Sequence, residues 1–209
     1  MIAEILSKKL QEEQAVKRER SGLWSPSSFG RCYRYQIWNR MGVEQTNPPG
    51  DNALRKFRIG NMFHRDLQGL IPPEQVEVEF THEDIHGFAD WVSDSFVCDF
   101  KTVGQFEWRI ISKEGYNPEK DKIPNMLQLM TYCMVFNKPQ GILCCIEKDS
   151  YQMREFVVKY DEWKDKLQEE LEVIRSYWKD ETVPAPEPRA YGGKECQYCS
   201  FQSKCKANG

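Results

Sequence analysis

Five short stretches of the chain are predicted to be strands, and in several of them hydrophobic and polar residues alternate, which is typical of β-strands with one buried face. Three of these stretches follow each other closely, and two more come later, on either side of a turn near Asp149 and Ser150. The five predicted strands are "QVEVEFT", "IHGFADWVS", "SFVCDFKTV", "GILCCIEKD" and "YQMREFVVKY". The sequence therefore predicts a sheet in which the first three strands are neighbours in the chain.

Helical periodicity surrounds these strands and predicts helices at residues 2–20, 53–70, 125–136 and 161–180. A further helix is predicted to begin at Ser25-Pro26, where a cap residue precedes a proline, and to end at Gly42. The resulting order, α-βββ-α-β, predicts an α/β domain with a mixed central sheet flanked by helices. A proline-rich "PAPEP" segment then leads to a cysteine-containing end.

The composition of the 209 residues, with 40% hydrophobic and 29% charged, is typical of a globular domain. No run approaches the ~18 apolar residues of a membrane helix, so no membrane partner is expected. The first residues lack the apolar core of a signal peptide, and we expect a cytoplasmic location. In that compartment the eight cysteines are expected to be metal ligands or buried thiols rather than disulfides.

The net charge of −3 at first disfavours a nucleic-acid partner, but the charge is unevenly distributed. Residues 1–65 contain 12 Lys/Arg and 6 Asp/Glu, so this part is basic while the remainder is acidic. A basic N-terminal third can contact phosphates. Charged helices are also common as solvated surfaces, and this feature alone does not decide between the two interpretations.

Two acids and a lysine lie on neighbouring predicted strands, in "GFADW" and "VCDFKT". If these strands pair in antiparallel fashion, Asp90 and Asp99 can approach each other, and Lys101 projects from the same face as Asp99. Carboxylates of this kind hold magnesium or manganese, beside which a lysine can orient water or stabilise phosphate charge. A surface hairpin with ordinary charges is the alternative.

Two helices carry polar pairs at a spacing of four, which brings both members of each pair to one helix face. Gly60 permits close backbone approach, and His64 can supply an imidazole ligand. Gln128 and Tyr132 lie among apolar residues of the helix after the third strand, where both can point into a cleft. A single histidine on a helix is more often a satisfied, partly buried residue, and a helix at the boundary between core and solvent is the alternative for Gln128 and Tyr132.

The cysteines form a pattern at the end of the chain, C-x2-C-x5-C, made of Cys196, Cys199 and Cys205. A four-coordinate site needs one more thiolate, and Cys32 is the candidate. Four thiolates suit zinc or a [4Fe-4S] cluster, and the spacing does not choose between them. The other four cysteines are expected to be small buried hydrophobes: Cys98, Cys133, Cys144 and Cys145.

The residues beside Cys32 mix aromatic and basic side chains, as grooves that bind single strands do. They are Tyr33, Arg34, Tyr35 and Trp38. An aromatic helix face packed into the core is an equally good interpretation.

Together these motifs resemble the PD-(D/E)XK nuclease superfamily, over Ser25 to Cys205. The set is Gly60-x3-His64, Gly87-x2-Asp90, Asp99-x-Lys101 and Gln128-x3-Tyr132. With the four cysteines, the chain is similar to the RecB-like branch that carries an iron–sulfur cluster and includes CRISPR-associated, AddB-type and phage nucleases. Two departures are Ala89 in place of the motif's proline, and Asp99 where many relatives have glutamate.

The resemblance implies a restriction-endonuclease-like core with specific roles for these residues. His64, Asp90, Asp99 and the Phe100 carbonyl would ligate Mg²⁺ or Mn²⁺, and Lys101 would be catalytic. Gln128 and Tyr132 would support the site. The cysteines would bind [4Fe-4S] rather than zinc, and so tie the N- and C-terminal parts together.

The expected function is therefore a metal-dependent DNA nuclease, an exonuclease on single-stranded DNA or DNA ends. We expect a single domain, with a nuclease core at 25–183 and a cysteine-rich segment at 184–209. No G-x4-GK[ST] motif is present, so unwinding would need a partner, such as a helicase, recombination or CRISPR-adaptation protein. The competing hypothesis is a non-catalytic nucleic-acid-binding or adaptor module with a structural zinc.

Overall fold

A computed structural model describes residues 2–15 and 21–207. Its centre is a sheet of five strands, which follow the alternating stretches of the sequence. The strands are β1 Val76–His82, β2 Ile85–Val92, β3 Val97–Val103, β4 Gln140–Glu147 and β5 Met153–Lys159.

Helices precede, interrupt and follow this sheet. They are α1 Ile2–Ala15, α2 Tyr33–Arg40, α3 Asp51–Gln68, α4 Gln105–Ile111, α5 Pro118–Asp121, α6 Ile123–Val135, α7 Lys164–Lys179 and α8 Gln202–Ala207. Short 3-10 helices lie at Pro26–Ser28, Pro73–Gln75, Tyr160–Glu162, Tyr191–Gly193 and Glu195–Tyr198. Within the described ranges, every helix is too short or too polar to cross a bilayer.

The strand order in the sheet is the same as the order in the chain, β1-β2-β3-β4-β5. Three of the four neighbouring pairs are antiparallel, and the pair β3–β4 is parallel. A parallel pair needs a crossover connection, which here contains α4, α5 and α6. The predicted α/β fold with a mixed central sheet is therefore confirmed.

The sheet has a large core on one face and a smaller one on the other. The larger core joins α6 and α7 to the sheet, with Met126, Leu129 and Leu143 fully buried. The smaller core contains Leu67 of α3 and Phe100 of β3. Because side chains alternate along β3, Asp99 and Lys101 point away from the Phe100 core and towards the α6 face.

The predicted helix from Ser25 to Gly42 is the main difference between expectation and structure. The chain forms a 3-10 helix at Pro26–Ser28, then a turn, and α2 begins only at Tyr33. Gly30 in the turn has φ +72°, and a Cβ there would lie 3.1 Å from Leu127 and Pro124. Glycine thus allows a tight, left-handed turn that interrupts the helix. The predicted residues 16–20 of the first helix lie outside the described residues.

Candidate metal centre and cysteine segment

Asp90 and Asp99 lie on adjacent antiparallel strands, as the sequence predicts. The ladder pairs Val92 with Val97 and Trp91 with Cys98, and Asp90 and Asp99 follow directly after this last pair. Asp90 Oδ2 accepts a hydrogen bond from the backbone N–H of Phe100 at 2.7 Å. This bond holds the Asp90 carboxylate between the two strands.

Asp99 is fully buried and pairs with the lysine two residues later. The Lys101 Nζ donates to Asp99 Oδ1 at 2.7 Å, while 28% of the lysine side chain remains exposed. The second oxygen, Asp99 Oδ2, is buried without a hydrogen-bond partner in the described part of the chain. Because a buried carboxylate oxygen without a partner is costly, this atom is suited to a bound cation.

The pKa values of both Asp90 and Lys101 are raised in this centre. Burial, followed by the charge of Asp99, raises the pKa of Asp90 to about 7. Burial lowers the pKa of Lys101, but Asp99 and then Asp90 outweigh it and the pKa is raised overall. A divalent cation would relieve the repulsion between the two carboxylates.

His64 reaches the same centre from α3. Its Nε2 lies 3.1 Å from the Phe100 carbonyl oxygen, and its Nδ1 lies 3.6 Å from Asp90 Oδ1. Burial and the charge of Lys101 lower the pKa of His64, which favours the neutral imidazole that binds metals. Gly60 lets the helix approach the sheet, since a Cβ there would lie 3.3 Å from Thr102 Oγ1.

Gln128 and Tyr132 of α6 form a hydrogen-bonded pair, and Tyr132 lies near enough to Asp99 for the carboxylate charge to act on it. The Gln128 Nε2 donates to the Tyr132 hydroxyl at 2.7 Å, and Tyr132 is 3% exposed. Burial and the charge of Asp99 raise the pKa of Tyr132 well above its usual value. The tyrosine therefore stays a neutral phenol close to the carboxylates.

The structure adds Glu77, which sequence reasoning missed, to this centre. His64, Glu77 and Asp90 offer ligand atoms that all lie within 4.8 Å of one another. Glu77 has φ +46°, a strained conformation for a non-glycine residue in a strand, with a cost of about 1–3 kcal/mol. In the sequence it is one polar position of an alternating strand, and nothing marks it as different from Glu79.

The four cysteines of the predicted cluster line one pocket of about 410 Å³. This pocket brings Cys32 together with the three cysteines near the other end of the sequence. Cys32 precedes α2 and is buried, while Cys196 is exposed and Cys199 and Cys205 are half-buried. The other four cysteines are buried in strands and in α6. Burial raises the pKa of Cys133 and of Cys144 to about 12, so both thiols stay protonated.

Two buried glutamates hold the loop before α2 against the end of the chain. Glu195 accepts from the backbone N–H of Cys32 at 3.0 Å, and also from those of Arg189 at 3.0 Å and Ala190 at 3.2 Å. Glu170 of α7 accepts from the N–H of Gly30 at 2.8 Å. Arg189 donates to Glu170 at 2.7 Å, which links the two glutamates.

The aromatic and basic residues of α2 pack against the cysteine segment. Tyr35 and Trp38 contact Phe201 with ring centroids 5.5 Å apart. Arg34 donates to the Pro184 carbonyl at 2.7 Å, and Tyr33 lies beneath the guanidinium of Arg189 at 3.9 Å. These contacts correspond to the packing interpretation of this motif, and its role in strand binding stays a prediction.

Comparisons with known proteins show that this chain is similar to solved structures at the level of the fold. No protein-family model and no curated protein sequence matches the chain. A solved structure described as that of SSO0001 is 22% identical, covers 99% of this chain and 97% of its own, and has a TM-score of 0.66. The alkaline exonuclease LHK-Exo from Laribacter hongkongensis is 10% identical, covers 83% of this chain and 93% of its own, and has a TM-score of 0.53. The fold is restriction-endonuclease-like.

LHK-Exo in complex with dAMP is similar to the same extent. It is 13% identical, covers 77% of this chain and 89% of its own, and has a TM-score of 0.54. The shared architecture thus extends over most of both chains, although few residues are identical.

Proposed function

We propose that this protein is a metal-dependent DNA nuclease that hydrolyses phosphodiester bonds, with single-stranded DNA or DNA ends as its substrate. The similarity of its fold to that of an alkaline exonuclease supports a nuclease function in general terms. The observation that carries the proposal is the buried Asp99 carboxylate, with one oxygen on Lys101 and the other without a partner. A solvated surface hairpin has no reason to bury a carboxylate in this way.

His64, Asp90, Asp99 and the Phe100 carbonyl are the residues that would hold the divalent cation. Three of the four supply oxygen, the donor that Mg²⁺ and Mn²⁺ prefer, and the neutral imidazole is a donor that Mn²⁺ accepts well. The contacts of His64 with the Phe100 carbonyl and of Asp90 with the Phe100 N–H support a common location for this set.

Lys101 is the residue that we propose to act on the reacting phosphate. A bound cation supplies Lewis acidity towards the scissile phosphate. Lys101 is held by Asp99 and partly exposed, so its ammonium is oriented in advance and can stabilise the charge that develops on the phosphate oxygens. Gln128 and Tyr132 are positioning residues, because Gln128 holds the Tyr132 hydroxyl and Tyr132 lies near Asp99.

The cysteine segment is proposed to bind a [4Fe-4S] cluster through Cys32, Cys196, Cys199 and Cys205. The pocket that all four line supports a common site, and thiolate donors suit either a cluster or zinc. We assign it a structural role, since it joins the loop before α2 to the end of the chain. Iron, zinc and sulfide analysis of protein purified without oxygen distinguishes the two groups.

Digestion of 5′- and 3′-labelled single- and double-stranded DNA tests the nuclease proposal directly. We expect cleavage with Mn²⁺ or Mg²⁺, none with EDTA, and none from the isosteric variant Asp99→Asn. The labels report polarity and the preference for ends. If the protein binds DNA but leaves it intact with either metal, the nuclease hypothesis is wrong and the adaptor hypothesis is favoured.

A further inference from the structure

Glu77 of β1 lies beside the expected metal ligands but belongs to none of the sequence motifs. One of its carboxylate oxygens lies within 4.8 Å of ligand atoms of both His64 and Asp90. Gln68 of α3 donates its amide Nε2 to Glu77 Oε1 at 2.6 Å, which fixes the orientation of the carboxylate. We propose that Glu77 is a ligand of the divalent cation, together with His64 and Asp90. This inference rests on the proposed function for the identity of the cation.

The register of the sheet explains how three strands contribute to one centre. Val76 pairs with Trp91 and Val78 with Ala89, so Glu77 stands opposite Asp90 on the neighbouring strand. On its other side, Asp90 lies one residue beyond the Trp91–Cys98 pair and accepts the backbone N–H of Phe100 on β3. Asp90 therefore lies between the strand of Glu77 and the strand of Asp99.

A second observation concerns Asp99, which is not one of the three grouped residues but lies near enough for its charge to act on Asp90. Asp99 is 0% exposed, and its Oδ2 has no hydrogen-bond partner among the residues that the structure describes. Burying such an oxygen beside another carboxylate is unfavourable unless positive charge is supplied. Lys101 supplies one charge, and it contacts only the other oxygen of Asp99.

Glu77 adds a carboxylate beside Asp90 and near the buried Asp99. Lys101 is paired with Asp99 through Oδ1. A divalent cation would offset the negative charge that remains in the centre.

The proposed site is accessible from solvent. A groove of about 590 Å³ between α1 and α3 is lined by His64, Glu77 and Gln68 at one end. Leu10 of α1 and Arg58 and Arg65 of α3 also line it. A hydrated cation can therefore reach Glu77 without rearrangement of the fold.

Mn²⁺ binding to the full chain, measured by titration calorimetry without DNA, tests the inference. We expect Glu77→Gln to weaken Mn²⁺ binding at least about tenfold, the low end of what is lost with residues around metal sites. The matched control is Glu79→Gln, an exposed glutamate two residues along the same strand, which should bind Mn²⁺ like the parent protein.

A second variant separates ligand loss from misfolding. Glu77→Gly removes the carboxylate at a position whose φ of +46° suits glycine, so this variant should melt no lower than the parent. It should lose Mn²⁺ affinity to the same degree as Glu77→Gln. Parental Mn²⁺ affinity in either variant would overturn the inference.

The outcomes also distinguish this inference from the proposed function. A parent protein that cuts DNA, with a Glu77→Gln variant that binds Mn²⁺ equally well, refutes the role of Glu77 alone. A parent that binds Mn²⁺ through Glu77 but does not cut DNA refutes the nuclease and leaves the ligand assignment intact. A parent that cuts DNA but shows no Mn²⁺ binding without DNA overturns the inference.

Discussion

The carboxylate centre and the cysteine segment are both assembled from residues far apart in the chain, but they are held in different ways. The carboxylates lie on neighbouring strands of one sheet, and Asp90 accepts the backbone N–H of Phe100 next to Asp99. The cysteines lie on short helices and loops, where Glu195 and Glu170 accept backbone N–H groups that no ladder satisfies. Ligand positions thus depend on the strands of a sheet in one region, and on buried side chains that join loops in the other.

Substitutions should therefore have different consequences in the two regions. Side chains of the carboxylate centre project from strands that are joined by backbone pairing, so we expect their loss to affect chemistry more than folding. Residues of the cysteine segment provide the contacts that dock it, so their loss should affect stability first. Each of the following experiments tests this contrast, beginning with the largest expected effect.

Replacing Lys101 should give the largest effect of all, and on catalysis. Lys101→Ala removes the ammonium next to Asp99, and we expect the cleavage rate to fall about 10²- to 10³-fold while DNA affinity changes little. Single-turnover cleavage of labelled DNA measures the rate, and Lys113→Ala, an exposed lysine, is the control. Cleavage at the parental rate by Lys101→Ala would remove this residue from the mechanism.

Replacing Cys32 should have the largest effect on stability. The proposed cluster closes a loop between Cys32 and the end of the chain, and its binding energy contributes to folding. We expect Cys32→Ala to lose iron and to melt about 10 °C lower, from a loss of roughly 4 kcal/mol at this chain length.

Cys144→Ala is the matched control for Cys32, because Cys144 is buried in β4 away from the cysteine pocket. It should keep its iron and lose only core packing. Equal iron loss from both variants would contradict the ligand assignment. A folded, colourless parent protein with one zinc per chain would show that the cysteines bind zinc rather than an iron–sulfur cluster.

Glu195 should matter even in protein from which iron has been removed. Glu195→Gln keeps the shape but replaces an accepting oxygen by an amide N–H₂ near the backbone donors of Cys32, Arg189 and Ala190. We expect a loss of about 2–3 kcal/mol in the free energy of unfolding, measured with urea.

The control for Glu195 is Glu187→Gln, an exposed glutamate in the same segment, which should unfold like the parent. If Glu195→Gln is as stable as the parent without iron, the buried glutamates do not dock the segment. The cysteine segment would then depend on its cluster alone for docking, unlike the carboxylate centre, whose strands are joined by backbone pairing.

The parts of the molecule that could be predicted from sequence are those set by local patterns. Short apolar and alternating stretches located all five strands, and the pairing of β2 with β3 followed from their order. The turn at Gly30 could not be predicted from the local pattern, because a proline after a possible cap predicts a helix start four residues before the glycine. The close approach of Gly30 to Pro124 and Leu127 of α6 exists only in the folded chain.

The contributions of Glu77, Glu170 and Glu195 could not be predicted, for a common physical reason. A glutamate in a charged sequence is normally solvated, and only tertiary packing decides whether it is buried or placed beside other ligands. Glu170 lies in a helix rich in charged residues, and Glu195 is a single glutamate directly before Cys196. The recognised motifs describe what the ligands are, while these glutamates determine how some of them are held.

Gln128 should give the smallest effect, and it tests whether supporting residues of the carboxylate centre behave like its ligands. Gln128→Ala removes the hydrogen bond to the Tyr132 hydroxyl at 2.7 Å, and the phenol packed near Asp99 loses its fixed position. We expect kcat to fall about tenfold, equivalent to ~1.4 kcal/mol, with stability nearly unchanged since Gln128 is only half-buried.

The comparison for Gln128 is Gln168→Ala on the exposed side of α7, which should cleave and melt like the parent. Tyr132→Phe should reproduce the loss in kcat if the hydrogen bond acts through the tyrosine, and the double variant should then be no worse than either single one. A drop in melting temperature with unchanged kcat would instead show that Gln128 stabilises α6, because support of this kind belongs to folding rather than to catalysis.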